Sequence, residues 1–495
     1  MIFLKISKWV AVLLSGLVLL TACGKVPERP IDADATAIVL MDAEITVDGQ
    51  VASTDEGSAV YTANDIVYYE DGKDFTYGEG VQADAHSKEE AEKHTVVHIT
   101  KAGRYAISGK LSYGQIAVDL GEGAKDDPKA VVTVILNGVD ITCEVAPAVI
   151  FYRVYECGNA EAEQASKDVD TSAAGANVII ADATTNTVNG SYVARIYKPE
   201  TVVLNEEGTE VADAKKLHKY DGAFYSKMSM NVSGGTDNSG TLRIHAVNEG
   251  LDSEMHLTVN GGNIYIRSGN DGINTNEDGV SVTTVNGGLL DILVTGQTGE
   301  GDGIDSNGWL VINGGKVMAA ACANSADAGI DSDMGIYILG GEVLATGHML
   351  DRIEGGGQNY AVFSFAAKQD STVCLKNENG DVVIEHTPQN PYSVWIYSSS
   401  RLTAGTYSLW CDGTQMATAI GGKGGEFGTP QGDMNPPDMP NGENPFGEQP
   451  PQGETPPEPP QGERPVKPNR GEQEIRENFV ITDGGTLFSS IMPIQ

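Results

Sequence analysis

The chain has 495 residues, with 69 Asp and Glu against 32 Lys and Arg and a formal net charge of −37. Such acidity argues against nucleic acid and against charge-driven attachment to anionic lipid. It suits either divalent-cation binding or simple solubility, and the six cysteines show no metal-like spacing.

The chain opens with Lys5, Lys8 and an apolar run from Trp9 to Leu20, then Thr21-Ala22-Cys23. A charged start, a short apolar core and small residues before a cleavage point mark residues 1–23 as a secretory signal. The run is shorter than the roughly 20 residues of a spanning helix. Leu20-Thr21-Ala22-Cys23 resembles the bacterial lipoprotein box, which makes Cys23 the lipidated first residue of an exported chain, held at the cell surface by a lipid anchor only.

Residues 24–35 read as a linker. From Ile38 to about Ile150 the text is strand-like, as in Val96–Thr100, Tyr105–Gly109 and Val131–Leu136, with Asn137-Gly138-Val139-Asp140 as a turn. The acidic stretch Gly158–Ala174 reads as an exposed loop, and residues 200–220 as a loop or short helix.

Beyond residue 220 one phrase recurs. Gly250-Leu251-Asp252-Ser253, Gly272-Ile273-Asn274-Thr275, Gly303-Ile304-Asp305-Ser306 and Gly329-Ile330-Asp331-Ser332 follow a degenerate copy at Asp221-Gly222-Ala223. Successive glycines are 28, 22, 31 and 26 residues apart. Each unit also carries a Gly-Gly pair: Gly234-Gly235, Gly261-Gly262, Gly287-Gly288, Gly314-Gly315 and Gly340-Gly341. Apolar residues alternate on both sides of the pair, as in Leu257/Val259 and Ile264/Ile266, and so share one face of short strands. The unit is predicted as strand, Gly-Gly turn, strand and a turn into the next unit, with glycines supplying the turn conformations. So short a unit buries its apolar face only by stacking on its neighbours. The fold expected is all-β, a parallel β-helix (a solenoid) with one coil per repeat. A β-propeller would need repeats of about 40 residues or more with four strands each.

Residues 359–420 are richer in aromatic strands and lack the repeat glycines, so they are expected to cap the stack begun at residue 36. Between Pro430 and Pro468 lie 13 of the chain's 21 prolines, a composition that builds no core, so residues 421–478 read as a disordered tail. A short apolar segment, 479–495, follows. Cys322 fits the repeat alternation as a core residue, whereas Cys374 and Cys411 read equally as paired or free.

These residues resemble a known family. Gly103-Arg104-Tyr105-Ala106-Ile107-Ser108-Gly109-Lys110-Leu111 with Gly114–Asp119 looks like its opening coil, and Leu136–Ile141 followed by Pro147-Ala148 like its next. Asp221–Lys227 and the Gly-Ile-Asp-Ser repeats match its body. Asn379-Gly380-Asp381, His386-Thr387-Pro388 and Ser398-Ser399-Ser400 resemble its closing segment. The family is the bacterial carbohydrate-binding domain-containing lipoproteins, and the resemblance runs over about residues 40–420. It implies a right-handed, calcium-binding parallel β-helix over residues 36–358, related in shape to polysaccharide lyases, and a polysaccharide partner such as cellulose or pectic acid. Family coils usually read Asp-Gly-Ile. Glu249-Gly250-Leu251 and Ala328-Gly329-Ile330 depart from that, which weakens the expectation of cation sites at those two coils.

Asp252, Asn274, Asp305 and Asp331 share the second place after the repeat glycine; Asn276, Asn307 and Asp333 sit two residues further on, and Asp271 and Asp302 precede the glycines. Ca²⁺ takes six to eight oxygens from such groups, and coils stacked about 4.8 Å apart would offer ligands from two neighbours. Asp305 with Asp331, joined by Asp302 or Asp333, is the best acidic group. The alternative is that Asp, Asn and Gly simply favour turns, with asparagines stacked in a ladder.

Tyr225, Tyr265 and Trp309 are the outward aromatic candidates for a sugar face. The function expected is non-catalytic, calcium-dependent polysaccharide binding. The alternatives are a pectate-lyase-like eliminase and a structural adhesin. An eliminase needs a basic residue beside the calcium. Lys316 is the candidate, with Lys227 and Arg267 behind it.

Overall fold

The computed structural model describes residues 34–158, 161–420 and 475–493; the signal segment with Cys23 and most of the proline-rich stretch lie outside the described residues. The described chain is almost entirely β, and its one α-helix is Lys88–Glu92. Among the described residues no helix is long and apolar enough to cross a membrane.

The repeats stack in three ladders rather than two. The first takes Gly103–Leu111, Val132–Thr142, Ala176–Ile180, Met230–Gly234, Leu257–Val259, Val282–Val285, Trp309–Ile312 and Gly335–Ile338, each parallel to the next. The second, across the Gly-Gly corner, includes Thr241–Ala246, Asn263–Ser268, Leu289–Val294, Lys316–Ala320 and Glu342–Gly347, again parallel. The third is built from the recurring phrase itself. Gly222–Ser226, Glu249–Ser253 and Ile273–Thr275 pair in parallel, and Ile273 bridges to Ile304. The phrase was expected to be a turn. In the copies at Gly250 and Gly272 it is a strand, its Leu or Ile facing inward and the following Asp or Asn outward with the two-residue period of extended backbone, and the copy at Gly303 keeps a single bridge.

Each rung drops aliphatic side chains onto those of the rung before. Leu242, Ile264, Leu290, Val317 and Val343 form one such file, and Leu251, Ile273, Ile304 and Ile330 another, all fully buried. Full burial of such a side chain contributes about 1.5–3 kcal/mol, available only when a neighbouring rung covers it.

The two glycine classes differ in cause. The second glycine of four Gly-Gly pairs, Gly262, Gly288, Gly315 and Gly341, has φ between +82° and +93°, a turn conformation as expected. The repeat glycines do not. A Cβ on Gly272 would lie 2.2 Å from Ile292 Cγ2 and 2.5 Å from the Gly303 carbonyl oxygen, and one on Gly250 2.4 Å from the Gly272 carbonyl oxygen. They are needed for close approach between rungs. Gly272→Ala is therefore expected to cost about 3 kcal/mol, the upper end of overpacking penalties, read as a lower midpoint in urea.

Asn137–Asp140 is not a turn either. Val132–Thr142 runs as one strand from the first ladder into the second and bends at Gly138, where φ is +87°. The buried Asn186 side chain accepts from the Gly138 and Val139 amides at that bend. Residues 193–220 form two hairpins, Val193–Tyr197 with Lys216–Tyr220 and Val203–Leu204 with Val211–Asp213.

Both ends of the stack are closed by antiparallel strands. Val60–Ala63 runs against Thr95–Ile99 at the start of the third ladder. At the far end Tyr392–Ser399 runs against Glu342–Gly347 and seats an antiparallel cap. The C-terminal segment returns to this cap: Phe479–Ile481 pairs with Gly405–Cys411, and Thr486–Pro493 with Tyr360–Gln369 and Thr414–Ile420. Phe479 and Phe488 are fully buried there with Phe363 and Trp395. The five described cysteines are free, and Cys322 is a buried core residue.

Candidate functional site

The outer face of the third ladder gathers the acidic residues into two groups. In the first, carboxylate oxygens of Asp221, Glu249 and Asp252 lie within 4.8 Å of one another. All three side chains are buried, Asp252 completely. Asn276 donates to Asp252 Oδ1 at 2.6 Å, and Asn274 donates to Glu249 Oε1 at 3.3 Å. Three buried oxygens remain without a hydrogen-bond partner: Glu249 Oε2, Asp252 Oδ2 and Asn274 Oδ1. Unpartnered buried acceptors are costly, and these come from residues on two adjacent rungs. Lys219 Nζ, 2.5 Å from Asp221, is the cation that meets the group. Burial opposes its charge, but Asp221, Glu249 and Asp252 hold its pKa above the ordinary lysine value. Burial first, and mutual repulsion second, raise Glu249 and Asp252 well above the usual carboxylate range.

The second group brings carboxylate oxygens of Asp302, Asp305 and Asp331 within 4.8 Å. Burial is the leading cause of upward shifts to about 9 for Asp302, 6 for Asp305 and 7 for Asp331. Asp302 Oδ1 accepts from the Ala328 amide at 2.5 Å, which gives the Ala-Gly-Ile coil a backbone role where other coils have a carboxylate. Asp271, pushed by burial to about 7, accepts from the Asp302 amide at 2.6 Å. Asp333 is exposed, and its charge helps raise Asp305. Asn307 donates to the Asn276 carbonyl and to Asp278, so its amide ties rungs together.

An all-oxygen, acidic, partly unpartnered donor set of this kind fits Ca²⁺. The residues placed to hold an ion are Asp221, Glu249, Asp252 and Asn274 in one group and Asp302, Asp305 and Asp331 in the other.

Sequence reasoning passed over Asp221 and Glu249 as members of the acidic group. The signal was present: Asp221, Glu249, Asp271 and Asp302 all precede a repeat glycine. Glu249, read as a departure from the repeat, supplies one of the unpartnered oxygens. The asparagine ladder is real but sits elsewhere, on the Asn-Gly-Gly corners, where Asn313 donates to Asn286 and Asn286 to Asn260 at 2.8 and 2.9 Å.

One of the three aromatic candidates, Tyr225, needs correction. Tyr225 is 1% exposed and its hydroxyl bonds Glu254, so it offers no face. It is covered because the Lys216–Tyr220 hairpin strand lays Tyr220 across it, ring centroids 5.1 Å apart. Tyr265 is half-buried with the Arg243 guanidinium 5.0 Å over its ring. Trp309 is half-buried on the first ladder, away from the acidic groups. Lys316 also lies off the site, exposed on the second ladder between Leu289 and Glu342. Arg267 is engaged by Asp291 at 2.9 Å. Lys227 is lowered by burial.

Among solved structures the chain is similar to a polysaccharide lyase-like protein from C. thermocellum, a gadolinium derivative, at 18% identity over 62% of this chain and 93% of that one, with a TM-score of 0.33. No curated protein matches. The family model for carbohydrate-binding domain-containing proteins matches residues 93–351, more than half of the chain, and the three ladders and both acidic groups fall within that span. The chain belongs to the carbohydrate-binding domain-containing protein family.

Proposed function

We propose that this protein is a lipoprotein, anchored at the bacterial cell surface through Cys23, that binds plant cell-wall-type polysaccharides with the help of calcium and without cleaving them. Its stack is read as a right-handed parallel β-helix, supported by the three parallel ladders. Membership of the carbohydrate-binding family supports the polysaccharide partner. The observation that carries the calcium reading is that Glu249 Oε2, Asp252 Oδ2 and Asn274 Oδ1 are buried without donors in a group whose carboxylates lie within 4.8 Å of one another. Calcium held there would cancel the repulsion within the column and, at the half-buried Asp302 group, bridge to carboxylates of a pectic chain. The eliminase alternative finds little support in the base candidates. Lys316 is on another ladder, and Lys219 is held charged by its carboxylate neighbours.

The test uses the chain from Gly24 to Gln495, because stopping at residue 420 would remove Phe479 and Phe488 from the cap core. It is incubated with polygalacturonate and with cellulose, in Ca²⁺ and in EDTA, while retention and unsaturated-uronide absorbance are followed. Retention without new absorbance is expected. A rise in absorbance that EDTA abolishes makes the protein a lyase, and absence of both signals removes the polysaccharide reading in favour of a structural adhesin.

A further inference from the structure

A cleft of about 320 Å³ opens between the segment leading to the first rungs and the hairpin over residues 193–220, and none of the residues with unpartnered oxygens on the third ladder lines it. Tyr68, Tyr77, Tyr197, Leu217, His218 and Glu70 line it. Its size is at the lower end of ligand pockets, roughly 300–1,000 Å³. The three tyrosines are half-buried, so each keeps part of its ring in solvent. Exposed apolar side chains cluster on the same two segments: Phe75, Val81, Val203, Leu204 and Leu217.

The cleft is built rigidly. The Tyr197 amide donates to the Tyr77 carbonyl, and the Glu79 amide to the Arg195 carbonyl, both at 2.9 Å. Gly78 and Gly80 make this approach possible. A Cβ on Gly78 would lie 2.1 Å from the Arg195 carbonyl oxygen, and one on Gly80 2.6 Å from the Tyr69 ring. Tyr197 hydroxyl donates to Glu79, and His218 Nδ1 meets the Tyr220 hydroxyl at 2.5 Å, which sets the ring positions. Tyr68 and Tyr77 precede the family match, which begins at residue 93.

We infer that this cleft is a second, calcium-independent subsite that takes a neutral glucan strand by stacking pyranose rings on Tyr68, Tyr77 and Tyr197; the inference rests on the polysaccharide reading above. Ring C–H groups pack on an aromatic face, and tyrosine adds a hydroxyl for sugar hydroxyls. The choice of a neutral sugar follows from charge. The lining itself holds no Lys or Arg, and the one ammonium beside it, Lys73, lies 5.2 Å from the Tyr77 ring centroid and is paired at 2.8 Å with Glu70, the lining's one carboxylate, so the two charges offset each other. Acidic chains and neutral chains would thus be held at different places, the former through calcium at the acidic groups. Lys216–Tyr220 connects the two, since His218 lines the cleft and Lys219 next to it bonds Asp221.

Cellohexaose is titrated calorimetrically into the whole chain from Gly24, with polygalacturonate retention measured in parallel, each in Ca²⁺ and in EDTA. Wild-type protein is expected to bind cellohexaose equally in both buffers. Tyr68→Ala and Tyr197→Ala are each expected to weaken it about tenfold, the size typical of an aromatic anchor, and to leave calcium-dependent polygalacturonate retention unchanged. Tyr68→Phe, which keeps the ring, is expected to retain most of the affinity. Cellohexaose binding that EDTA abolishes, or that survives Tyr68→Ala and Tyr197→Ala, overturns the subsite. So does a wild-type protein that holds polygalacturonate but not cellohexaose. Failure to hold either probe overturns the polysaccharide reading as well.

Discussion

In EDTA at pH 8 the protein is expected to unfold many degrees below the temperature it reaches in millimolar Ca²⁺, and the gap is expected to close as the pH falls towards 4. The sign follows from the raised carboxyls. Asp271 and Asp331 at about 7, Asp302 at about 9 and Asp305 at about 6 all lie above the ordinary value of 3.8, and Glu249 and Asp252 also lie well above theirs. Between about pH 4 and 9 these carboxyls hold more protons in the folded calcium-free chain than in the unfolded one, while His86, His94, His218, His256, His348 and His386, lowered by burial, act in the opposite sense below about pH 6.5. Above the histidine range, from about pH 7 to 9, stability therefore falls as pH rises. Calcium competes with those protons, so its effect grows over the same range. At a hundredfold excess over its Kd each ion adds about 2.7 kcal/mol. Calorimetric scans from pH 4 to 9 with and without EDTA provide the check. A calcium-free melting temperature that rises from pH 7 to 9, or one indifferent to calcium at pH 8, would sink the metal assignment.

The second large effect is a reversal of sign at a single position. Glu249→Gln is expected to raise the melting temperature in EDTA at pH 8 and to lower it in Ca²⁺, relative to wild type. Without metal the wild-type carboxylate is buried beside Asp252 and Asp221 with Oε2 unpartnered. An amide there removes an ionisable group from beside Asp252 and Asp221 and puts a donor among buried acceptors that lack one, a gain of about 1–3 kcal/mol. With metal, a charged ligand has been lost. Asp305→Asn is expected to leave the first group's calcium response intact, which separates the two groups. If Glu249→Gln lowers stability in both buffers and keeps the full calcium shift, Glu249 is a structural residue and not a ligand.

The stacked architecture was legible because its cause is periodic. Leu257/Val259 and Ile264/Ile266 alternate, and their counterparts recur a rung later, so inward files could be read directly. What escaped was the identity of the third side. Gly272-Ile273-Asn274 offers only one inward residue per rung between glycine and polar groups, and three residues carry too little alternation to separate a strand from a turn. The repeat glycines were misread for a related reason. Their role is set by a carbonyl on the next rung, a contact between residues 31 positions apart at Gly272 and Gly303. The acidic column was legible as a column. Which oxygens lack a donor was not, because that depends on where Asn276 and Asn274 spend their single useful hydrogen bonds. Tyr225 failed as a sugar platform because the hairpin that covers it lies outside the repeat and read as loop or helix.

The antiparallel closures at the two ends have a consequence for size. Each inner rung touches only the one before and the one after, and the strands that terminate the stack recognise an edge rather than a particular neighbour. The molecule therefore behaves as a ruler with fixed stops. Its length can change by whole repeats, through duplication or loss of a unit such as the one between Gly303 and Gly329, without redesign of either stop. Each added unit would lengthen the outer acidic face by one strand spacing, about 4.8 Å, and move the far stop outward by the same step.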